Sequence, residues 1–347
     1  MIKRHFLLFM TLVLVTGCER ILIGPQHENT PEGNLNYLWR TIDEKYSLFP
    51  ISHVNWDSLY NVSHSMIDGS ITDSGLWAVC CQMLSPLNNG HLELVNEDFT
   101  LGFCPVMDYY DRNTFSIDLV RREYLVNSVV AGEGNLISGR IRNTSLGYLY
   151  IRSFSGAANG RDWIRDMDNV IRDLLPCDGI IIDIRNNGGG LTRNDLYAAS
   201  FFIDREITYY YSKVKIGPGH NDFSEAMPKK IFPRDDGIHY TKQNVVLTNR
   251  FSASGSEAFT LILKNMPGTT QIGDTTRGAI GEVTHVAQLP VGWKLYYPCT
   301  LTLLCDGTSP EGVGIIPDIL INNAPDDINS GKDRVIELAI DYLTDPK

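Results

Sequence analysis

The chain has 347 residues, of which 43% are apolar and only 20% are charged. This composition excludes a largely disordered chain, and the length predicts a sizeable core with room for about two domains. The 41 acidic residues outnumber the 30 Lys and Arg residues, for a formal net charge of −11. Because binding to phosphates requires a basic surface, the charge excludes nucleic acid as the main partner.

The N-terminus has the pattern of an export signal. Lys3 and Arg4 precede the apolar run Phe6–Val15, which is too short to span a bilayer. Val15-Thr16-Gly17 then precedes Cys18. This pattern resembles a bacterial lipoprotein signal, in which residues 1–17 would be removed and the cysteine lipidated. The alternative is an ordinary secretory signal with an incidental cysteine. The lipoprotein interpretation predicts an exported protein anchored by Cys18 to a bacterial membrane, on its periplasmic or cell-surface side.

Composition and periodicity divide the rest of the chain into regions. Residues 18–33 contain Gly, Pro and Asn and are predicted to be a tether. Apolar residues at helical spacing predict a helical N-terminal region over 34–91. Short alternating runs broken by Gly, Asp and Asn predict a small, compact β segment over 92–145. From residue 146 to residue 347 strands and helices alternate, which predicts an α/β core.

Within this core, the pattern predicts particular elements. Leu146–Ile151 and Val245–Thr248 are expected to be strands, and the continuous apolar run Gly179–Ile184 is typical of a strand buried on both faces. An apolar stripe from Trp163 to Leu174 predicts a helix that ends before Pro176. Arg334–Leu343 is expected to form an amphipathic C-terminal helix.

The strand Val245–Thr248 leads into Ser252-Ala253-Ser254-Gly255-Ser256-Glu257 and a predicted helix. A hydroxyl at such a turn lies where helix N–H groups favour negative charge, and the N–H of Gly255 could donate to an oxyanion beside Ser254. The same residues also form a capping box, Ser254 with Glu257, which stabilises helices without any chemistry. On this motif alone the helix cap is the favoured interpretation.

A second motif, Asp183-Ile-Arg-Asn-Asn-Gly-Gly-Gly190, follows the buried strand. Consecutive glycines predict unusual dihedral angles or close approach of a ligand, because any side chain would prevent both. Their N–H groups could complete an oxyanion hole. A phosphate-binding loop is disfavoured because the Lys-Ser/Thr ending is absent, and a plain tight turn is the remaining alternative.

Histidine and cysteine positions are less informative. His91 follows Gly90, but other histidines compete for the role of a catalytic base: His27, His53, His64, His220, His239 and His285. The cysteines other than Cys18 show neither a CxxC pair nor zinc spacing. We therefore predict no metal and no cofactor, and the sequence leaves disulfide formation open.

Taken together, several segments resemble the C-terminal processing (tail-specific) serine peptidases and occur in the same order: Leu146–Phe154, DIRNNGGG at 183–190, VVLTNRFSASGSE at 245–257, GDTTRG at 273–278 and EGVGIIPDI at 311–319. The resemblance implies a crotonase-like α/β core of repeated ββα units and cleavage of peptide bonds by a serine nucleophile. Matching the motif assigns that nucleophile to Ser254. It also implies an oxyanion hole of Gly255 with Gly188 or Gly189.

The chain is more similar to the tricorn core protease branch than to the Ser–Lys branch. Ser–Lys members carry a lysine where this sequence has Ala279, and no insert long enough for a PDZ domain fits between His91 and the core. The tricorn resemblance implies His91 as the base and Glu311 as the residue that orients it. That branch has a second serine directly before the histidine, where this chain has Gly90.

These observations predict a lipid-anchored exported serine peptidase with a peptide or protein substrate. The alternative is a non-catalytic protein on the same scaffold, which would bind a peptide or an apolar ligand, as Gly90 in place of the second serine suggests. Cleavage that disappears with Ser254→Ala distinguishes the two. The sequence does not determine the oligomeric state.

Overall fold

The computed structural model describes residues 28–105, 110–156 and 163–345. The predicted signal at 1–17, the predicted lipid-attachment residue Cys18 and most of the predicted tether lie outside these ranges. Within the described ranges, no helix is long and apolar enough to cross a membrane.

The N-terminal helices pack into a cluster of their own: α1 (Pro31–Lys45), α2 (Trp56–His64) and α3 (Asp73–Leu84). Helix α1 begins inside the predicted tether, because the Thr30 hydroxyl caps it by accepting the Gly33 N–H at 3.0 Å and Pro31 is favourable at the first helical position. Leu35 and Leu84 of this cluster pack with Leu295 from the C-terminal half of the chain.

The structure differs from the predicted compact β segment at 92–145, because the strands of this segment are divided between two sheets. One sheet has the order β11 (Val283–Gln288), β12 (Lys294–Pro298), β1 (Glu93–Val95) and β2 (Gly102–Phe103). The remaining strands of the segment join the main sheet. Alternation of polar and apolar residues predicts a strand but not its partner, and β1 pairs with a strand far along the chain.

The main sheet has the order β14 (Ile319–Leu320), β10 (Thr269–Gly273), β9 (Asn244–Thr248), β6 (Ile180–Asp183), β5 (Gly147–Ile151), β4 (Leu136–Ile141) and β3 (Leu125–Ala131). Strands β14 to β5 are parallel, and β4 and β3 continue the sheet antiparallel. A third sheet contains β13 (Thr300–Leu303), β7 (Ile207–Val214) and β8 (Met227–Ile231).

Helices cover both faces of the main sheet: α4 (Met167–Leu174), α5 (Thr192–Ala199), α6 (Gly255–Lys264), the short α7 (Pro325–Asn329) and α8 (Arg334–Thr344). In β6, Ile180 and Ile182 pack in one cluster with Phe259 of α6, and Ile181 packs in another with Ala339 of α8. This strand is therefore buried on both faces, as its continuous apolar run predicts. The predicted α/β class is confirmed.

The parallel arrangement brings two distant loops together. Strands β6 and β9 are neighbours, so the loops that follow them leave the same edge of the sheet, where α/β proteins form their sites. The Asn186 N–H donates to the side-chain oxygen of Asn249 at 2.9 Å, across 63 residues of sequence. The Asn249 amide donates back to the Asn186 side chain at 2.8 Å. These bonds join the glycine loop to the turn that carries Ser254.

Candidate active site

The turn between β9 and α6 holds Ser254 in a strained conformation, with φ 56° and ψ −120°. Non-glycine residues rarely adopt positive φ, and such strain persists only where the surroundings impose it. Here the Ser254 N–H is directed at the Ala279 carbonyl, 2.9 Å away, and at the Glu257 carboxylate, 3.0 Å away. The backbone geometry therefore positions the Ser254 side chain.

The structure distinguishes Ser254 from its two neighbouring serines. The Ser252 hydroxyl donates to the Ile184 carbonyl at 2.9 Å, and the Ser256 hydroxyl donates to the Asn187 carbonyl at 2.8 Å. Both are fully buried. Within the described residues the Ser254 hydroxyl makes no side-chain cap hydrogen bond to the helix, whereas Glu257, its partner in the predicted capping box, accepts the Ser254 N–H. Ser254 instead lines a cavity of about 450 Å³.

The glycine loop packs directly against this serine. The Asn187 side chain holds the loop by donating to the Ile151 carbonyl and accepting from the Gly189 N–H, each at 2.9 Å. Gly189 has φ 91°, and a Cβ on it would lie 2.8 Å from the Ser254 Cβ, closer than side chains can approach. The motif predicts either unusual dihedral angles or close approach, and this loop has both.

Two N–H groups beside Ser254 are suited to bind an oxyanion. The Gly189 N–H already donates to Asn187, so this candidate donor is occupied. Neither Gly188 nor Gly255 donates its N–H to any described residue. Gly255 is the first residue of α6, where helix N–H groups have no partner within the helix. Of the predicted pairs, the structure favours Gly255 with Gly188.

His91 lines the 450 Å³ cavity with Ser254, and both also line an adjoining cavity of about 240 Å³. The competing histidines in the described residues line neither cavity. His64 pairs with Glu32 at 3.1 Å, and His220 pairs with Asp43 at 2.9 Å. His27 lies outside the described residues. The tertiary structure thus selects His91 as the imidazole beside the serine.

The His91 side chain is poised as a neutral base. Burial lowers its pKa to about 4, and the nearby charge of Arg277 contributes in the same direction. The buried Nδ1 atom has no hydrogen-bond partner among the described residues. The ring therefore carries a free lone pair at neutral pH and is not held by a carboxylate.

Among the described residues, Glu311 is connected to His91 through Asn89 and makes no hydrogen bond to the imidazole. One of its carboxyl oxygens accepts from the Asn89 amide at 3.3 Å, and the other accepts from the Gly281 N–H. The Asn89 side-chain oxygen in turn accepts the His91 backbone N–H at 2.9 Å. Glu311 therefore acts on the His91 backbone through Asn89. In the sequence, the motif Asn88-Asn89-Gly90-His91 is what could have indicated this link, but the same motif is equally typical of an ordinary turn.

A second buried carboxyl, Glu257, lies near Glu311. Burial, followed by the nearby Glu257, raises the pKa of Glu311 to about 8. Glu257 accepts the Ser254 N–H and three hydrogen bonds from the loop at 276–279: the Thr276 hydroxyl at 2.6 Å, the Gly278 N–H at 2.8 Å and the Ala279 N–H at 2.9 Å. The sequence motif predicts Glu257 only as part of a helix cap. In the structure, its carboxyl group also joins the turn that carries Ser254 to the loop at 276–279.

The described residues contain no group of side chains suited to hold a metal ion. Their cysteines are all free thiols: Cys80, Cys81, Cys104, Cys177, Cys299 and Cys305. The cavity brings together a serine hydroxyl, an imidazole and backbone N–H groups, and this combination is a serine-hydrolase type of site.

Comparison with known proteins agrees with this class. The model of peptidase family S41 matches residues 145–321, and the chain belongs to this family of serine-type peptidases. It is 25% identical over 236 residues to tricorn protease of Thermoplasma acidophilum, covering 67% of this chain and 20% of that protein. It is also 25% identical over 222 residues to the carboxy-terminal processing protease CtpB of Bacillus subtilis, covering 63% and 42%.

A crystal structure of a candidate peptidase from Parabacteroides merdae is similar over nearly the whole chain. The TM-score is 0.82 at 28% identity, covering 92% of this chain and 98% of that one. By contrast, the chain spans less than half the length of tricorn protease and of CtpB. The predicted relationship to the C-terminal processing peptidases is confirmed.

Proposed function

We propose that the protein is an exported, lipid-anchored serine peptidase in which Ser254 is the nucleophile and His91 the base. The observation that carries this proposal is that the Ser254 hydroxyl, free of any cap bond, lines the same cavity as the neutral His91 imidazole. Gly255 and Gly188 add two N–H groups beside it. A hydroxyl is inert near neutral pH without such a base.

The proton path follows from this arrangement. The Ser254 oxygen attacks the peptide carbonyl while His91 takes the hydroxyl proton, and the N–H groups of Gly255 and Gly188 bind the oxyanion. The imidazolium then protonates the leaving amine, which leaves an acyl-enzyme on Ser254. Water, activated by the same imidazole, hydrolyses the ester and restores the serine. Asn89 and Glu311 position His91 through its backbone.

A Ser–Lys mechanism has no support in this site. Position 279, which is lysine in the Ser–Lys branch, is a buried alanine here. Its N–H donates to Glu257 and its carbonyl accepts from the Ser254 N–H, both at 2.9 Å. Arg277 is the cation near His91, and a guanidinium remains protonated and cannot act as a base.

The test is mass spectrometry of a mixed peptide library after incubation with the full-length chain purified in detergent, alongside Ser254→Ala. We expect new peptide termini with the wild type only. Absence of cleavage by both proteins, together with a co-purifying apolar ligand, would instead establish a binding protein on this scaffold.

The anchoring proposal rests on the N-terminal pattern that ends at Cys18. We expect the protein expressed in a bacterial host to fractionate with membranes and Cys18→Ser to lose lipid labelling. Because stable anchoring requires more than one acyl chain, which the lipidated cysteine would carry, the variant should also release the folded body where the signal is still processed. Unlabelled wild-type protein would contradict the lipoprotein interpretation.

A further inference from the structure

The cavity beside Ser254 contains a buried carboxyl that the proposed mechanism does not use. Asp195, in the first half of α5, is 1% exposed and lines the same 450 Å³ cavity as Ser254 and His91. Its Oδ1 atom has no hydrogen-bond partner among the described residues. A buried polar atom left unpaired is costly, so it calls for a partner that arrives from outside the chain.

The position of this carboxyl relates it to the reacting centre. The Asp195 Oδ2 atom lies 2.5 Å from the point that a Cβ on Gly255 would occupy. Gly255 is also the residue whose N–H is assigned to the oxyanion hole. An ionised Asp195 without a counter-charge would therefore disfavour the oxyanion, whereas a cation bound to it would remove that penalty.

Among the described residues, no cation is paired with Asp195. Burial raises its pKa to about 8, and the charge of Glu282 contributes in the same direction. The carboxyl therefore keeps its proton near neutral pH until a cation binds beside it and the proton is released to solvent. Glu282 lines the cavity as well, but its own charge is paired with Lys229 at 3.0 Å. The other titratable groups lining the cavity are His91 and two tyrosines from β7, Tyr209 and Tyr210.

Beside the nucleophile, the cavity thus combines a buried carboxyl, whose Oδ1 atom has no hydrogen-bond partner among the described residues, with the side chains of Tyr209 and Tyr210. Tyrosine rings pack well against the aliphatic stem of a long side chain and attract a cation at its end. We propose that this cavity is a specificity pocket for a Lys or Arg side chain adjacent to the scissile bond, with Asp195 as its ion-pair partner. This inference rests on the proposed peptidase function.

The pocket is tested with two pairs of peptides that differ at one residue beside the cleaved bond: Lys against norleucine, and Arg against citrulline. Each pair keeps the length of the side chain and changes its charge. We expect the wild type to prefer the cationic peptides by about 30-fold or more in kcat/KM. This is the loss in affinity expected when a buried charge pair is deprived of one partner. Asp195→Asn should lose this preference. Asp204→Asn, at a side chain that is 50% exposed, is the matched control and should retain it.

Equal cleavage of both members of a pair by the wild type, or a preference that persists in Asp195→Asn, would overturn the proposal while the peptidase function stands. Thermal unfolding of Asp195→Asn verifies its fold, which we expect to be intact because the change removes a desolvated carboxyl and keeps its shape.

A binding measurement makes the pocket testable without turnover. Calorimetry of Ser254→Ala with n-butylguanidinium should show binding, and n-butylurea, its neutral counterpart, should bind far more weakly. Adding Asp195→Asn should abolish the difference. Equal binding of the two probes contradicts the pocket. If Ser254→Ala binds the cation selectively but the wild type cleaves no peptide, the peptidase function is contradicted and the cation-binding pocket remains supported.

Discussion

Replacing Ser254 by alanine is expected to lower kcat about 10⁶-fold, to a residual rate about 10³- to 10⁴-fold above that of the reaction in water. The substitution removes the attacking oxygen and leaves the backbone bonds of the turn, since the Ser254 N–H still meets Ala279 and Glu257. We therefore expect the midpoint of thermal unfolding to change little. Steady-state kinetics on a peptide found in the library, with the unfolding curve, measures both.

Ser256→Ala is the matched control for this prediction. It removes a hydroxyl two residues away that donates to the Asn187 carbonyl at 2.8 Å, so it should cost about 1 kcal/mol of stability and retain measurable turnover. If Ser254→Ala kept wild-type activity, or if Ser256→Ala were the inactive variant, the assignment of the nucleophile would be wrong.

His91→Ala is expected to lower kcat by about 10⁴- to 10⁶-fold, because the serine loses the group that accepts its proton. His64→Ala serves as the control. That histidine lies at the end of α2, where it pairs with Glu32 at 3.1 Å on the exposed surface. The control should keep wild-type kcat. Activity that survives in His91→Ala would mean that another group in the cavity is the base.

The pH profile gives a second measurement for His91. Burial and Arg277 lower the pKa of this imidazole to about 4, so its basic form is already present at every pH above that value. For a peptide without Lys or Arg beside the cleaved bond, whose binding does not require ionised Asp195, the acid limb of kcat/KM reports His91 in the free enzyme and should therefore fall near pH 4. An acid limb at the ordinary pKa of histidine, about 6.5, would show that the ring is better solvated or pairs with a carboxylate.

Most local elements of the core can be predicted from the sequence alone. The apolar run at 179–184 predicts the buried strand β6 because a strand covered on both faces has no polar alternation. The predicted strand Val245–Thr248 and C-terminal helix Arg334–Leu343 each differ from the observed element by one residue. The glycine loop is recognisable because Gly189 and Gly190 adopt φ 91° and 148°, backbone conformations that other residue types rarely adopt.

Which of the candidate site residues act together depends on the tertiary structure. It separates Ser254 from Ser252 and Ser256, leaves Gly188 available where Gly189 is occupied, and inserts Asn89 between Glu311 and His91. The unpaired Asp195 carries no motif at all. Periodicity and motifs report the neighbours of a residue along the chain, whereas hydrogen-bond partners, burial and pKa depend on which distant segments pack around it. The pattern of 92–145 predicts one compact segment for the same reason, because a local pattern does not show that the strands pair with distant parts of the chain.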